Sequence, residues 1–342
     1  MMRERRPSPA RALMRTSVAA LLVWSTLAVL MVARPGNTPG RETGVALLPD
    51  FDRDRGRVSS INFLLADDLF SLERRRDGWV MPEAGDYPVD PDRLADLMVG
   101  LSRLERETRR TSDPEKLALL GLGDPEDGGN GVRVDLTGPA DETLASFILG
   151  RRRTGLYLRS PGDNQAFRLA GDLPAFYTRR AWLDLDILSV TPQALRALRL
   201  YDSAGQTAYF MRAPGQGPLA FRPAAPHAHD QLRDPAALSR SALALSSLTF
   251  TDAKPATGLT TSPVGRHISE TFDELELDLQ AYRELDGLWV TLRAIEAGNG
   301  ARRAASLNER TEGWAFRVSS MDFEALTPAV ADLVTRPAST GP

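Results

Sequence analysis

Asp90-Pro91-Asp92-Arg93-Leu94-Ala95-Asp96-Leu97-Met98-Val99-Gly100-Leu101-Ser102-Arg103-Leu104 decides how this chain is read. Asp is a favoured N-cap, and Pro suits the first helical position because its missing N–H would be unpaired there anyway. Leu94, Leu97, Met98, Leu101 and Leu104 recur at helical spacing, and the intervening positions are polar. The stretch predicts one amphipathic helix lying across a sheet. It also has an echo. Adding 144 to Asp90, Pro91, Leu94, Met98, Leu101 and Leu104 gives Asp234, Pro235, Leu238, Ala242, Leu245 and Leu248; only Leu97 breaks the rule, falling on Ser241.

Two further blocks follow in the same order. Val132, Val134 and Leu136 recur 143 residues later as Leu275, Leu277 and Leu279, and Ala166-Phe167-Arg168-Leu169 recurs at an offset of 149 as Ala315-Phe316-Arg317-Val318. Ordered blocks at a nearly constant offset point to a duplicated unit. Around the helices the patterns are those of strands: Val58–Phe63, Leu69–Glu73, Gly78–Met81, Val132–Leu136, Leu144–Leu149 and Leu156–Leu158 in the first half, Leu198–Tyr201, Ala208–Met211 and Leu219–Phe221 in the second. The expected fold is α+β, a sandwich-like pair of lobes, each a mostly antiparallel sheet with one packed amphipathic helix. Asp322–Val334 reads as a last helix containing Pro328, followed by a loose tail.

Upstream lies Thr16–Ala33, eighteen residues without a charge. As a helix it would be roughly 27 Å long, close to the hydrocarbon thickness of a bilayer. Arg3, Arg5, Arg6, Arg11 and Arg15 precede it against the single Glu4, a bias that holds the N-terminus in the cytoplasm and sends the rest across. The exit Met31-Val32-Ala33-Arg34-Pro35 lacks a small-x-small cleavage site, which favours a retained anchor over a cleaved signal. A buried core helix would keep a polar face, and this run has none. The expected organisation is a cytoplasmic tail at 1–15, a transmembrane anchor at 16–33, a linker at 34–57, a first α/β repeat at 58–192, a second at 193–334 and a disordered tail at 335–342. The expected arrangement is a membrane crossed once, with the N-terminus cytoplasmic and the body on the far side.

Composition narrows the function classes. The 342 residues carry a formal charge of −3. The Arg-rich tail accounts for +4 of the total, which leaves −7 on the exported part. An acidic body argues against a nucleic-acid partner. Cys is absent, so disulfides, thiolate catalysis and Cys-ligated metals are excluded. Lys116 and Lys254 are the only lysines among 42 basic residues, which reads as a habit of composition rather than a binding signal.

Candidate chemistry is sparse. His227-Ala228-His229-Asp230 is the one ligand-like cluster, but the Pro223-Ala224-Ala225-Pro226 before it reads as a loop and no third ligand is identifiable. His267 could pair with Ser262 or Ser269 as base and nucleophile; nothing beyond local proximity supports it. Gly121-Leu122-Gly123 and Gly128-Gly129-Asn130-Gly131 lack the spacing and following Lys of a phosphate loop and read as turns. Glu274, Glu276 and Asp278 alternate with Leu275, Leu277 and Leu279, the wet face of a strand; Asp67-Asp68 is a second acidic pair. Arg74–Arg76, Arg109–Arg110 and Arg151–Arg153 are either solvated turns or contacts for lipid headgroups. Trp79, Trp182, Trp289 and Trp314 sit in strand patterns, as core residues or as a stacking platform. No catalytic, cofactor-binding or metal-binding residue is assigned.

The anchor, Asp77-Gly78-Trp79-Val80, Gly85-Asp86-Tyr87-Pro88 before the Asp-Pro helix start, Trp182-Leu183-Asp184 and Glu312-Gly313-Trp314-Ala315-Phe316 together resemble a bacterial domain-of-unknown-function family, number 4340. The resemblance covers about Val45 to Val334; His227 to Asp230 departs from it. It implies an envelope protein of the bacterial inner membrane, its body periplasmic, associated with ABC-type transport systems of the gliding-motility kind, hence inner-membrane transporter components as partners, and no catalytic residues. The expected function is a non-enzymatic auxiliary or scaffold of such a complex. The alternatives are a module binding an envelope glycan or lipid and, third, an unrecognised hydrolase.

Overall fold

A computed structural model describes residues 44–296 and 301–336. Both echoing stretches form helices thirteen residues long, Pro91–Arg103 and Pro235–Ser247. Asp90 Oδ1 accepts from the backbone N–H groups of Asp92 and Arg93, each at 3.0 Å. Asp234 Oδ1 accepts from those of Ala236 and Ala237, at 2.8 and 2.9 Å. Each carboxylate thus satisfies two of the donors that a helix start leaves unpaired.

The chain falls into two units. One comprises the chain through Arg74 together with Ala95–Tyr177, the other Arg75–Leu94 together with the chain from Thr178. In chain order the first half provides β1 (Val45–Ala46), α1 (Phe51–Asp54), β2 (Ser60–Leu64), β3 (Leu69–Arg75), β4 (Gly78–Met81), β5 (Tyr87–Pro88), α2 (Pro91–Arg103), β6 (Glu105–Arg109), α3 (Pro114–Leu117), β7 (Val132–Thr137), β8 (Thr143–Arg152), β9 (Gly155–Arg159) and β10 (Phe167–Ala170). The second half provides β11 (Leu195–Tyr201), β12 (Thr207–Met211), β13 (Arg222–Pro223), β14 (Gln231–Leu232), α4 (Pro235–Ser247), β15 (Asp252–Pro255), β16 (Gly265–Thr271), β17 (Leu275–Glu284), β18 (Gly287–Glu296), α5 (Ala301–Thr311), β19 (Trp314–Arg317), α6 (Ser320–Leu326), α7 (Val330–Leu333) and β20 (Val334–Thr335).

Within the first unit the sheet runs β1-β6-β10-β9-β8-β7-β2-β3, with antiparallel neighbours throughout. The second unit's sheet runs β13-β12-β11-β16-β17-β18-β19-β15, again antiparallel. The order β6-β10-β9-β8-β7-β2-β3 has the same chain logic as β15-β19-β18-β17-β16-β11-β12. In each, a hairpin precedes the helix and the strand after the helix crosses to the far side. A three-strand meander then extends the hairpin, and the last strand closes the gap. Gly155 and Gly287 occupy matching turns, with φ of 137° and 148°, which a side chain rarely tolerates.

This correspondence moves one of the sequence matches. Val132–Leu136 lies in β7, whose counterpart is β16, whereas Leu275–Leu279 lies in β17, whose counterpart is β8. The slip is by one strand of the meander. Every half-buried strand there alternates with period two, so the apolar pattern alone does not say which strand it belongs to.

The cores follow that alternation. In the first unit Ile61, Phe63, Phe70 and Leu72 are fully buried, and Phe63 stacks on its cross-strand partner Phe70 at 4.9 Å between ring centroids. In the second unit α4 packs on α6 and α7, α6 packs on β16 and β18, and α5 lies on β17 and β18. One helix per lobe is therefore too few here. The last expected helix is also divided, into α6 and α7. Pro328 has no N–H to continue the ladder, and Thr327 before it leaves the helical region at φ −125°, ψ 45°. Tyr87 and Trp182, both buried, anchor Arg75–Leu94 in this unit: the Tyr87 hydroxyl donates to the Asp184 carbonyl at 2.8 Å, and the ring meets Trp314 edge-on at 4.8 Å. Among the described residues no helix is long and apolar enough to cross a membrane; Thr16–Ala33 lies outside them.

Candidate functional site

Successive residues of β16 face opposite sides, so His267, Ser269 and Thr271 share one face. The structure does bring His267 and Ser269 together: Nε2 and Oγ lie 3.1 Å apart. Both are about 1% exposed, on the side covered by α6. Burial pushes the imidazole down to about pKa 4, against a smaller opposing pull from the Leu326 backbone. Thr271 is used locally, its hydroxyl donating to the Leu275 carbonyl at 3.1 Å and accepting from the Leu275 N–H at 3.0 Å. A base and a nucleophile must reach substrate. This pair is sealed in a core. Ser262, the other partner considered, is exposed in a loop.

The remaining sequence candidates are structural. His227 Nε2 meets the Thr207 hydroxyl at 3.1 Å, and Arg336 reaches His227 Nδ1 at 3.3 Å and Asp230 at 3.4 Å, while His229 is exposed. The cluster fastens the β14–β20 pair, where Gln231 stands opposite Thr335. Among the described residues no group of three or more His, Asp or Glu is placed to hold a metal ion. The two glycine stretches pack on each other: the Gly129 and Gly131 N–H groups donate to the carbonyls of Asp124 and Gly123 at 2.6 and 2.9 Å. The Gly121 and Gly128 amides also donate to backbone carbonyls and that of Gly123 to Asn130 Oδ1 at 3.3 Å, so the stretches do not form a phosphate cradle. In the arginine runs, Arg152 donates to the Leu119 and Ala118 carbonyls at 3.1 and 2.9 Å, and Arg151 pairs with Asp172 at 2.7 Å. Trp182 and Trp289 are buried; Trp289 donates to Asp286 at 2.9 Å and carries the Lys254 ammonium 4.2 Å from its ring centroid.

The opposite face of β11, β16 and β17 is charged, and it is less wet than the alternation suggests. Asp278 is buried under Arg266, which donates through Nε at 2.8 Å and Nη2 at 2.7 Å. Glu270, also buried, receives Arg196 Nη2 at 2.8 Å and Arg199; Arg199 reaches on to Glu276 at 3.0 Å. Two of these carboxylates are thus desolvated and paired. Arginine is suited to this because its planar fork matches a carboxylate and its stem covers apolar surface.

At the β11–β12 end this ladder runs into an open cavity of about 770 Å³. Arg196, Arg212 and Arg222 supply three cationic side chains to its lining, and Glu274 one carboxylate. Met211, Pro214, Pro223 and Phe272 give it apolar walls. Arg212 is the unusual member. It is 4% exposed, and its guanidinium donates to the carbonyls of Leu195 (3.1 Å from Nε), Gln216 (2.9 Å), Gln193 (2.8 Å) and Pro192 (3.3 Å). Phe272 and Phe221 flank it at 5.1 and 5.8 Å from guanidinium carbon to ring centroid. Among the described residues no carboxylate pairs with it.

The model of a family described as Domain of unknown function (DUF4340) matches residues 79–262, more than half of the chain. The chain belongs to the DUF4340 family. No curated protein and no solved structure matches it.

The DUF4340 match contains Arg196, Arg212 and Arg222, while His267, Phe272 and Glu274 lie beyond it. Sequence reasoning missed these three arginines. Arg212 ends the strand pattern Ala208–Met211 and reads as a solvated strand end; the carbonyls that bury it come from the turn at 192–195 and the loop at 216. One signal was available: Phe272 is an aromatic in the otherwise polar connection Thr271-Phe272-Asp273-Glu274; Phe221 was hidden in Leu219–Phe221, which reads as a strand and is a turn and loop in the structure.

Proposed function

We propose that this DUF4340 chain is a membrane-anchored extracytoplasmic protein with a non-enzymatic, binding role, an auxiliary or scaffold component of an ABC-type transport complex. The reading rests on the uncharged run Thr16–Ala33 behind its arginines, and on a body formed by duplication of one α/β unit, for which the common strand order of the two sheets is the support. The observation that carries the non-enzymatic part is the burial of His267 and Ser269, which withdraws the one base–nucleophile pair that sequence reasoning could name. The surface chemistry that remains is arginine–carboxylate recognition. The test is co-purification of the tagged full-length chain from its native membrane in mild detergent, beside a version in which Met1–Ala33 is replaced by a cleavable signal. A transporter permease or ATPase recovered in stoichiometric amount supports the reading, and the paired versions locate the contact in the anchor or the body. Recovery of both versions alone overturns it.

A second reading, a module for an envelope ligand, is favoured by the cavity at Arg196, Arg212 and Arg222, whose volume of about 770 Å³ lies in the range of small-molecule sites.

A further inference from the structure

We infer that the cavity beside β12 binds a small organic acid, an anionic head carried on a compact apolar body; the inference rests on the ligand-binding reading above and specifies its chemistry. Three observations lead there. The first is the floor. Arg212 is buried with four of its five N–H groups taken by backbone carbonyls, and among the described residues no carboxylate pairs with it. Carbonyl dipoles satisfy the hydrogens but leave the unit charge in place. In a poorly solvated setting that charge is felt further than it would be in water. Arg212 therefore contributes chiefly a field, and at most one hydrogen bond, to a ligand.

The second observation is at the rim. Arg222 is exposed and makes no ion pair among the described residues. Arg196 gives Nη2 to Glu270 at 2.8 Å, and its Nε is buried with no hydrogen-bond partner among the described residues. Arg222 holds the donors that an acid could reach; Arg196, already paired with Glu270, adds to the positive lining. Glu274, the one carboxylate in the lining, is exposed. The balance favours an anion, and a planar guanidinium is suited to a carboxylate or phosphate head.

The third is the wall. Met211 is 40% exposed, a large apolar side chain left open on β12. With Pro214, Pro223 and Phe272 it lines the same space. A bare inorganic ion would leave that surface wet, and a sugar would leave the charge unanswered. An acid with an apolar body uses both.

The test uses the full chain in nanodiscs of phosphatidylcholine, titrated calorimetrically with benzoate, phenyl phosphate, benzyl alcohol and inorganic phosphate. Binding of benzoate or phenyl phosphate, with the neutral alcohol and the bare ion each at least tenfold weaker, is the expected result; the tighter of the two acids says whether the head is a carboxylate or a phosphate. Arg222→Glu reverses the charge of an exposed side chain and is expected to weaken acid binding at least tenfold with an unchanged thermal midpoint. Ala220→Trp, which fills the cavity, is expected to abolish it. Benzyl alcohol binding as well as the acids, inorganic phosphate binding as well as phenyl phosphate, Arg222→Glu binding like the parent chain, or no probe binding at all would each overturn the inference. The same sample is screened against envelope glycans and neutral lipids: a ligand found there after the acids fail sinks the inference and spares the ligand-binding reading, whereas no ligand of any class sinks both.

Discussion

His267 Nε2 and Ser269 Oγ sit 3.1 Å apart on one face of β16, and water reaches neither residue to any useful extent. The imidazole is held neutral, its pKa pressed down to about 4 by burial. In the unfolded chain it titrates near its ordinary value of about 6.5. Between those values the unfolded state binds the extra proton, so stability is flat above about pH 6.5 and falls as pH drops toward about 4. The full difference is on the order of 3 kcal/mol. His267→Gln removes the titration and keeps a group that can bond Ser269. Thermal midpoints of the parent chain are expected to fall more steeply than those of the variant between pH 6.5 and 5. Equal slopes would show that His267 is not the proton acceptor.

Glu270 is the hub of the charged face, since Arg196 and Arg199 both converge on it. Glu276 pairs with Arg199 alone among the described residues and is more exposed. Removing one partner of a desolvated pair strands the other charge, whereas a wetter pair contributes little. Glu270→Gln should therefore lower the thermal midpoint clearly more than Glu276→Gln. The Arg-exposed side of each pair keeps the loss below that of a wholly buried bridge, about 1–3 kcal/mol for Glu270. A larger loss at Glu276 would mean that the ladder is organised around the rim instead.

Asp90 caps α2 through two backbone donors. Asp90→Ala is expected to cost about 1 kcal/mol, and Asp90→Ser, which keeps a capping oxygen, much less. Chemical denaturation of the three proteins side by side measures it. An alanine variant as stable as the parent would mean that the helix start is held by its surroundings alone.

The two Asp-Pro helices and the alternating strands were legible because their causes are local, a cap and a period; the break at Pro328 has an equally local cause, a missing N–H, but one continuous helix was expected through it. What was not legible came from contacts between distant segments. The pattern that placed Leu275–Leu279 opposite Val132–Leu136 was right about strands and wrong about which strand, because period two carries no label. Helix α5 escaped notice because only Ala304, Leu307 and Thr311 of its eleven residues are buried, too short a stripe to stand out. The candidate site was the least legible part. Nothing near Arg212 in sequence supplies all its carbonyl partners, and Arg196 meets Glu270 across 74 positions of chain. His267 and Ser269, by contrast, were paired from sequence spacing, and only burial revealed that they serve the core.

The glycine stretches bear the last prediction. A phosphate loop needs glycines so that backbone amides can approach a ligand; here they let backbone approach backbone. A Cβ on Gly131 would lie 2.5 Å from the Gly123 carbonyl oxygen and 2.6 Å from Ile148 Cγ2. One of those neighbours is main chain and the other is a fully buried side chain, so neither yields cheaply. Gly131→Ala should destabilise by about 2 kcal/mol or more, with the loss seen in the melting of the unit that holds β7 and β8. Gly56 is the control. A Cβ there meets nothing within 4 Å and its φ is ordinary, so Gly56→Ala is expected to be neutral or to stabilise by up to about 1 kcal/mol through the unfolded chain. Should Gly131→Ala melt like the control, the close packing of the two glycine stretches would be wrong, and the turn would again be open for a ligand.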